Sequence, residues 1–347
     1  MIADHPNWTS LLERFRAGQE RALSQAISGV ENETPGFERF LDAVHDRVGR
    51  ARRIGITGPP GAGKSTVTAG VARVFVDQGL RVGILAVDPT SPFTGGALLG
   101  DRVRMTELST EPGVFIRSMA SRGSVGGLAT AACEAADLMD AFGFDRVLLE
   151  TLGVGQSELD IASSADTTVV VLVPESGDGI QAMKAGLMEV ADLFVVNKAD
   201  RPGAARLAKE IEVMMAIRAG NLLGGLSAGH HGASAAAPAP PPASVEENWR
   251  VPVLETTATT GEGIERLVTA LGEHYEASER SGALGARRRE QRLERVRAAL
   301  LRRAEGVAGA LWEARRERVA EELAAGRATP YAIAERLYEE LRAGGTA

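Results

Sequence analysis

From residue 54 to residue 256 short β-rich runs alternate with helix-length segments: IGIT at 54, VGILAV at 82, VFIRS at 114, RVLLET at 146, TVVVLV at 168, LFVVN at 193 and VPVLET at 251. Runs this apolar and this far apart pair in parallel, because hairpins need short turns, and the connecting helices must then cover both faces of the sheet. Ligands of such sheets sit beyond the C-terminal ends of the strands. The fold class expected is α/β, with a mostly parallel sheet over 51–275.

The flanking regions have another texture. Over 1–50, Leu12, Phe15, Leu23, Ile27 and Val30 recur at helical spacing without strand-like runs, which predicts a small helical N-terminal domain. Over 276–347, Leu293, Val296, Leu300, Ala304, Val307 and Leu311 recur at steps of three and four among arginines and glutamates, which predicts a helix with one apolar seam. Thr329 followed by Pro330 reads as the cap and first residue of a further helix, with Ile333, Leu337 and Leu341 on one face. The seam calls for a partner, here expected to be a second copy. A Gly/Ala/Pro-rich stretch at 222–246 has too few large apolar groups to pack and reads as a flexible insertion. His230 and His231 inside it lack the further ligands that a metal would need.

Composition narrows the partners. The net charge of −7 gives no reason to expect nucleic acid, and the arginines at 287–303 are expected to form a solvated helix face. No apolar run approaches membrane-spanning length, so the expectation is a cytoplasmic protein with no membrane partner. Cys133, the one cysteine, excludes an internal disulfide and reads as a small buried residue. Of 39 basic residues only Lys64, Lys184, Lys198 and Lys209 are lysine, so each surviving ammonium is a candidate for a specific task.

GPPGAGKS, residues 58–65, lies between a strand and a helix and fits G-x-x-x-x-G-K-[ST]. Glycines at Gly58, Gly61 and Gly63 let the backbone of this loop, including Ala62 and Thr66, wrap phosphates; Lys64 would bridge the β- and γ-phosphates and Ser65 would ligate Mg2+. The strand RVLLET ends in Glu150, with Gly153 three residues on, the places of a magnesium-shell acid and of a γ-phosphate-sensing glycine. Asp88 and Asp101 are further candidates for the magnesium shell and for the catalytic set with Lys64 and Glu150. NKAD, residues 197–200, follows a strand: Asp200 can accept from guanine N1–H and the 2-amino group, Lys198 can cover the base, and Asn197 can tie this loop to the phosphate loop. TTA, with Thr256, Thr257 and Ala258, follows the last strand and could close over the guanine. Val154 stands where Ras-type GTPases carry a water-orienting glutamine, and Gln156 is two residues further, so intrinsic hydrolysis is expected to be slow.

Taken in order, GITGPPGAGKST, LAVDPTSPFTGGALLGDRVRM, ETLGVGQSE, ESGDGIQAMKAG and VVNKAD resemble the MeaB/ArgK family of P-loop GTPases. That resemblance implies a homodimer through helical C-terminal arms, and a chaperone that gates adenosylcobalamin delivery to an acyl-CoA mutase of the methylmalonyl-CoA type and rescues inactivated enzyme. It assigns GTP/GDP and Mg2+ to Lys64, Ser65, Asp88, Asp101, Glu150, Asn197, Lys198 and Asp200. It also makes the loop with Asp178, Gln181 and Lys184 a switch that contacts the mutase. No direct cobalamin binding is expected, since D-x-H-x-x-G is absent: Ala43 and Gly229 stand two before His45 and His231. Two rivals remain: a nickel metallochaperone GTPase, which would bring Cys/His ligands to the nucleotide side, and a small-molecule kinase or transport ATPase, which would not need Asp200.

Overall fold

The computed structural model describes residues 7–88, 108–120, 127–151, 164–174, 187–218 and 249–344. The β-rich runs form β1 (Arg52–Thr57), β2 (Val82–Asp88), β3 (Val114–Ala120), β4 (Arg146–Thr151), β5 (Thr167–Leu172), β6 (Leu193–Asn197) and β7 (Val253–Thr256). They make one seven-stranded sheet in the order β3-β2-β4-β1-β5-β6-β7. Every pairing is parallel, so all C-terminal ends share one edge.

The helices are α1 (Trp8–Arg16), α2 (Glu20–Glu31), α3 (Phe37–Val44), α4 (Lys64–Asp77), α5 (Gly127–Phe142), α6 (Ala204–Arg218), α7 (Ile264–Ser281), α8 (Ala283–Ala324) and α9 (Pro330–Gly344). Side chains alternate across a strand, so each strand feeds two cores. Ile84, Leu148, Val169 and Val171 join Val67, Val71 and Phe75 of α4 and Leu267 and Leu271 of α7 on one face. Leu85, Val87, Val147 and Leu149 join α5 and the N-terminal helices on the other. Further along that second face, Val170, Leu172, Phe194 and Val196 pack on α6.

Contacts divide the chain into two compact units, 1–288 and 289–347, whereas the sequence pattern suggested boundaries at 50 and 275. The N-terminal helices are not set apart from the sheet domain, because their apolar faces close on it. Phe15 of α1 meets Phe142 of α5 edge-on with ring centres 5.1 Å apart, and Arg117 of β3 donates to Glu31 (2.8 Å) and Ser28 (2.9 Å) of α2. The first unit also keeps the start of α8, for a reason given by Arg287 and Arg288 below.

In the second unit α9 starts as the cap pattern predicts, with Ala332 N donating to Thr329 Oγ1 at 3.2 Å. Arg336 of α9 pairs with Glu322 of α8 at 2.7 Å, and Arg315 of α8 pairs with Glu340 of α9. Val319 and Ile333 are buried, while Leu293, Val296, Leu300 and Val307 of the seam are exposed. Among the described residues no helix is long and apolar enough to cross a membrane. The insertion at 222–246 lies outside the described residues.

Candidate functional site

The chain leaves β1 at Thr57 and enters a loop that only glycine can thread. A Cβ on Gly58 would lie 2.1 Å from Val171 O of β5, and one on Gly63, where φ is +85°, would lie 2.4 Å from Asn197 Nδ2. These two contacts press the loop onto the sheet edge and against the NKAD strand end. Any larger residue would lift it away.

Lys64 opens α4 and is 5% exposed, with Nζ donating to Gly58 O at 2.7 Å and Pro59 O at 3.1 Å. The ammonium therefore lies within the curl of the loop, along with Ala62, which is buried, and Thr66, whose N–H donates to Gly63 O. Ser65 Oγ donates to Glu150 Oε1 at 2.5 Å, and Glu150 is 1% exposed at the end of β4. With two strands between them in sequence, but adjacent in the sheet, β4 and β1 are tied at the loop's launch by Thr151 Oγ1, which donates to Thr57 Oγ1 at 3.0 Å.

Asn197 is the junction of three loops. Its Nδ2 donates to Ala62 O at 2.9 Å, while its Oδ1 accepts from Thr256 Oγ1 and from Ala258 N, both at 3.1 Å. Lys198 adopts φ +60°, and its Nζ donates to Gly61 O at 2.9 Å. Ala199 N donates to Thr256 O, and Thr257 N to Glu262 O, both at 3.0 Å, so the NKAD and TTA turns are held together. Asp200 is exposed beside them.

The structure thus brings together Gly58, Gly61, Ala62, Gly63, Lys64, Ser65, Thr66, Glu150, Asn197, Lys198, Asp200, Thr257 and Ala258 on one sheet edge. Asp88 ends β2 on that edge, where its backbone pairs with Ala120. Asp101, Gly153, Asp178, Gln181 and Lys184 lie outside the described residues. The hydroxyls of Thr57 and Thr151 were not anticipated; a threonine closing a strand just ahead of a loop is the signal that could have marked them.

A second polar cluster was missed altogether, at the opposite edge. Asp192, just ahead of β6, accepts from Thr168 N (2.7 Å) and from Arg287 Nη1 and Nη2 (2.8 and 2.9 Å), with His274 Nε2 at 3.4 Å. Burial pushes this carboxyl up, but His274 and Arg287 outweigh burial and hold it down at about 2. Asp166, just ahead of β5, takes Arg288 through Nε and Nη2, both at 2.7 Å. Arg53, buried, is matched to Asp137 (2.5 Å) and Asp140 (3.2 Å). Arg287 and Arg288 are therefore anchors and not part of a solvated face. Cys133 is likewise half-buried rather than buried, with Sγ 2.8 Å from Ser164 Oγ.

Comparison with known proteins decides what kind of edge this is. The family model of the methylmalonyl Co-A mutase-associated GTPase MeaB matches residues 23–310. This chain belongs to the MeaB family. A Pyrococcus abyssi protein named "Putative GTPase" is 41% identical over 336 residues, covering 96% of this chain and 97% of that one. The mouse methylmalonic aciduria type A homolog, a mitochondrial protein, is 35% identical over 292 residues, covering 79% of this chain and 64% of that one. The crystal structure of a LAO/AO transport system kinase superposes with a TM-score of 0.62 at 26% identity, covering 99% of this chain and 100% of that one. As a MeaB-family P-loop GTPase, the chain takes guanine nucleotides. The donor set at Ser65 and Glu150, one hydroxyl and one buried carboxylate oxygen, is the hard-oxygen kind that suits Mg2+.

Proposed function

We propose that this GTPase is a chaperone that gates adenosylcobalamin delivery to an acyl-CoA mutase of the methylmalonyl-CoA type, and protects or reactivates that mutase. The observation that carries the reading is the family match over 23–310, which takes in the phosphate loop, Glu150, the 175–184 loop and NKAD together. Lys64 holds the β- and γ-phosphates, and Ser65 and Glu150, with Asp88 and Asp101, hold Mg2+. Mg2+ would neutralise charge on the phosphates during hydrolysis. Asp200 reads guanine, Lys198 covers the base, and Thr257 and Ala258 close beside it through the bonds to Asn197. Slow basal turnover follows from the residues after Gly153, which offer no glutamine directly next to it.

The test compares GTP and ATP turnover, each with and without a saturating acyl-CoA mutase. GTP hydrolysis that is selective over ATP and accelerated by the mutase is expected; indifference to the mutase would remove the chaperone reading and leave the GTPase. The 175–184 stretch follows β5 in sequence, and the C-terminal end of β5 lies on the nucleotide edge. Lys184→Ala and Asp178→Ala are accordingly expected to keep basal hydrolysis and GTP affinity yet lose most of the mutase-driven acceleration. Parent-like acceleration in both variants would assign the coupling elsewhere.

A homodimer through the C-terminal arm belongs to the same proposal. Val296 and Leu300 are each 68% exposed on α8, and a row of large apolar side chains is the kind of surface that a partner covers. Leu300→Glu combined with Val296→Glu should turn a sedimenting dimer into a monomer that still binds GTP. These substitutions leave Arg287 and Arg288 in place, so the first unit keeps its anchors.

A further inference from the structure

The sheet edge opposite Asn197 carries a concavity of about 520 Å³ between the last turn of α4 and the outer side of α7. Its floor is made by Arg52 and Arg146, the first residues of β1 and β4 and direct partners in the parallel register. Two cations side by side repel. Burial, and then the charge of Arg52, makes the protonated form of Arg146 harder to hold, yet a guanidinium does not give up its proton.

The other arginines of this edge show how the fold ordinarily handles such charge. Arg53 lies against Asp137 and Asp140, Arg287 against Asp192, and Arg288 against Asp166. Arg52 and Arg146 differ: among the described residues neither is ion-paired to a carboxylate. Arg52 stacks on Tyr275, 4.0 Å from the ring centre, and Arg146 on Phe75 at 5.2 Å, with Nη1 donating to Asp145 O. The rings fix the position of both guanidiniums and leave donors directed elsewhere. Arg146 also lines an adjoining cavity of about 170 Å³, where Arg47 and Arg50 stand with Asp140 and Asp145, so the anion's place is beside Arg52 and not on that side.

We propose that this cavity binds a small organic anion, its phosphate or carboxylate held between Arg52 and Arg146 and its remainder packed beside Tyr275 and Val268. Thr167 and Thr269 supply hydroxyls on the same wall. Asp77 and Glu265 also line it and are exposed, so a long polyanion such as nucleic acid would meet repulsion that a small ligand avoids. The site is separate from the nucleotide. It touches the last turn of α4, whose first residues are Lys64 and Ser65, roughly 20 Å away along the 14-residue helix.

The experiment is calorimetric titration of the full chain saturated with GDP and Mg2+, so that the phosphate loop is already occupied. Phenyl phosphate and benzoate serve as separate probes of the two anion chemistries. Saturable one-site binding of at least one is expected. Arg52→Gln and Arg146→Gln should each weaken it about tenfold or more by removing a charge-assisted contact. Asp77→Asn should not weaken it. Thr269→Trp, an exposed position on α7, should block the cavity without touching either arginine, and decides the matter if an arginine variant fails to fold. No saturable binding of either probe to the parent chain would overturn the proposal, as would parent-like affinity in Thr269→Trp.

Discussion

Replacing Asp200 by asparagine is expected to turn the nucleotide preference from GTP towards xanthosine triphosphate. A carboxylate at the end of NKAD accepts from two guanine donors, N1–H and the 2-amino group, and those bonds are charge-assisted. Asparagine offers one acceptor and one donor, so the 2-amino group meets N–H instead of O. The loss for GTP should be about 2 kcal/mol or more, roughly 30-fold in affinity. Xanthine replaces the 2-amino group by an oxygen, which the new amide can serve. The scaffold should survive, because Asp200 is exposed and the turn around it is held by Asn197, Lys198 and Ala199. Competition of the two triphosphates for labelled GDP measures the shift; an unchanged preference for GTP would take Asp200 out of base recognition.

What could be read from the sequence divides along physical lines. Strands such as RVLLET and LFVVN were legible to the residue, because a buried parallel strand must be continuously apolar and a helix of that composition and length would not stop where they stop. The tie from Asn197 to the phosphate loop was legible because a short amide at a strand end has few other places to reach. Its second half was not: bonds to Thr256 and Ala258 depend on the register of β6 with β7, a long-range fact. The docking of the N-terminal helices was equally hidden, since Phe15 reads as one more apolar position until α5 presents Phe142. Arg287 and Arg288 show the limit most clearly. A run of arginines on a polar helix looks the same whether water or a carboxylate lies beneath it, and their acids stand 95 and 122 positions away. The aspartates just ahead of β5 and β6 were the only local hint.

Asp192→Ala is expected to cost the fold about 3–5 kcal/mol, the size seen when one member of a buried ion pair is removed. That is a large part of the roughly 5–15 kcal/mol by which domains are stable. Three groups each lose one acceptor: the Arg287 guanidinium, which keeps Asp166 O at 2.7 Å, the His274 ring, which keeps Ser278 Oγ at 3.2 Å, and the Thr168 N–H. His274 is fully buried, with Thr167 Oγ1 2.8 Å from Nδ1, so water cannot easily replace the carboxylate. Arg287→Ala should cost less, because Asp192 keeps Thr168 N–H and His274, and because the Arg287 side chain is 29% exposed and so less dependent on burial. The pH profile carries a second signature. A carboxyl held at about 2 in the folded chain, against about 4 when unfolded, stabilises at neutral pH and loses that contribution as pH falls from about 4 to about 2. The contribution is about 2 kcal/mol, and Asp192→Ala should lack it. Urea unfolding of parent and variant across that range measures both effects. The nucleotide site provides the control, since it occupies the other edge of the sheet: GDP affinity of the folded variant should match the parent. A loss below about 1 kcal/mol at neutral pH, or an acid limb unchanged by the substitution, would mean that the arginine anchors do not hold this end of the sheet.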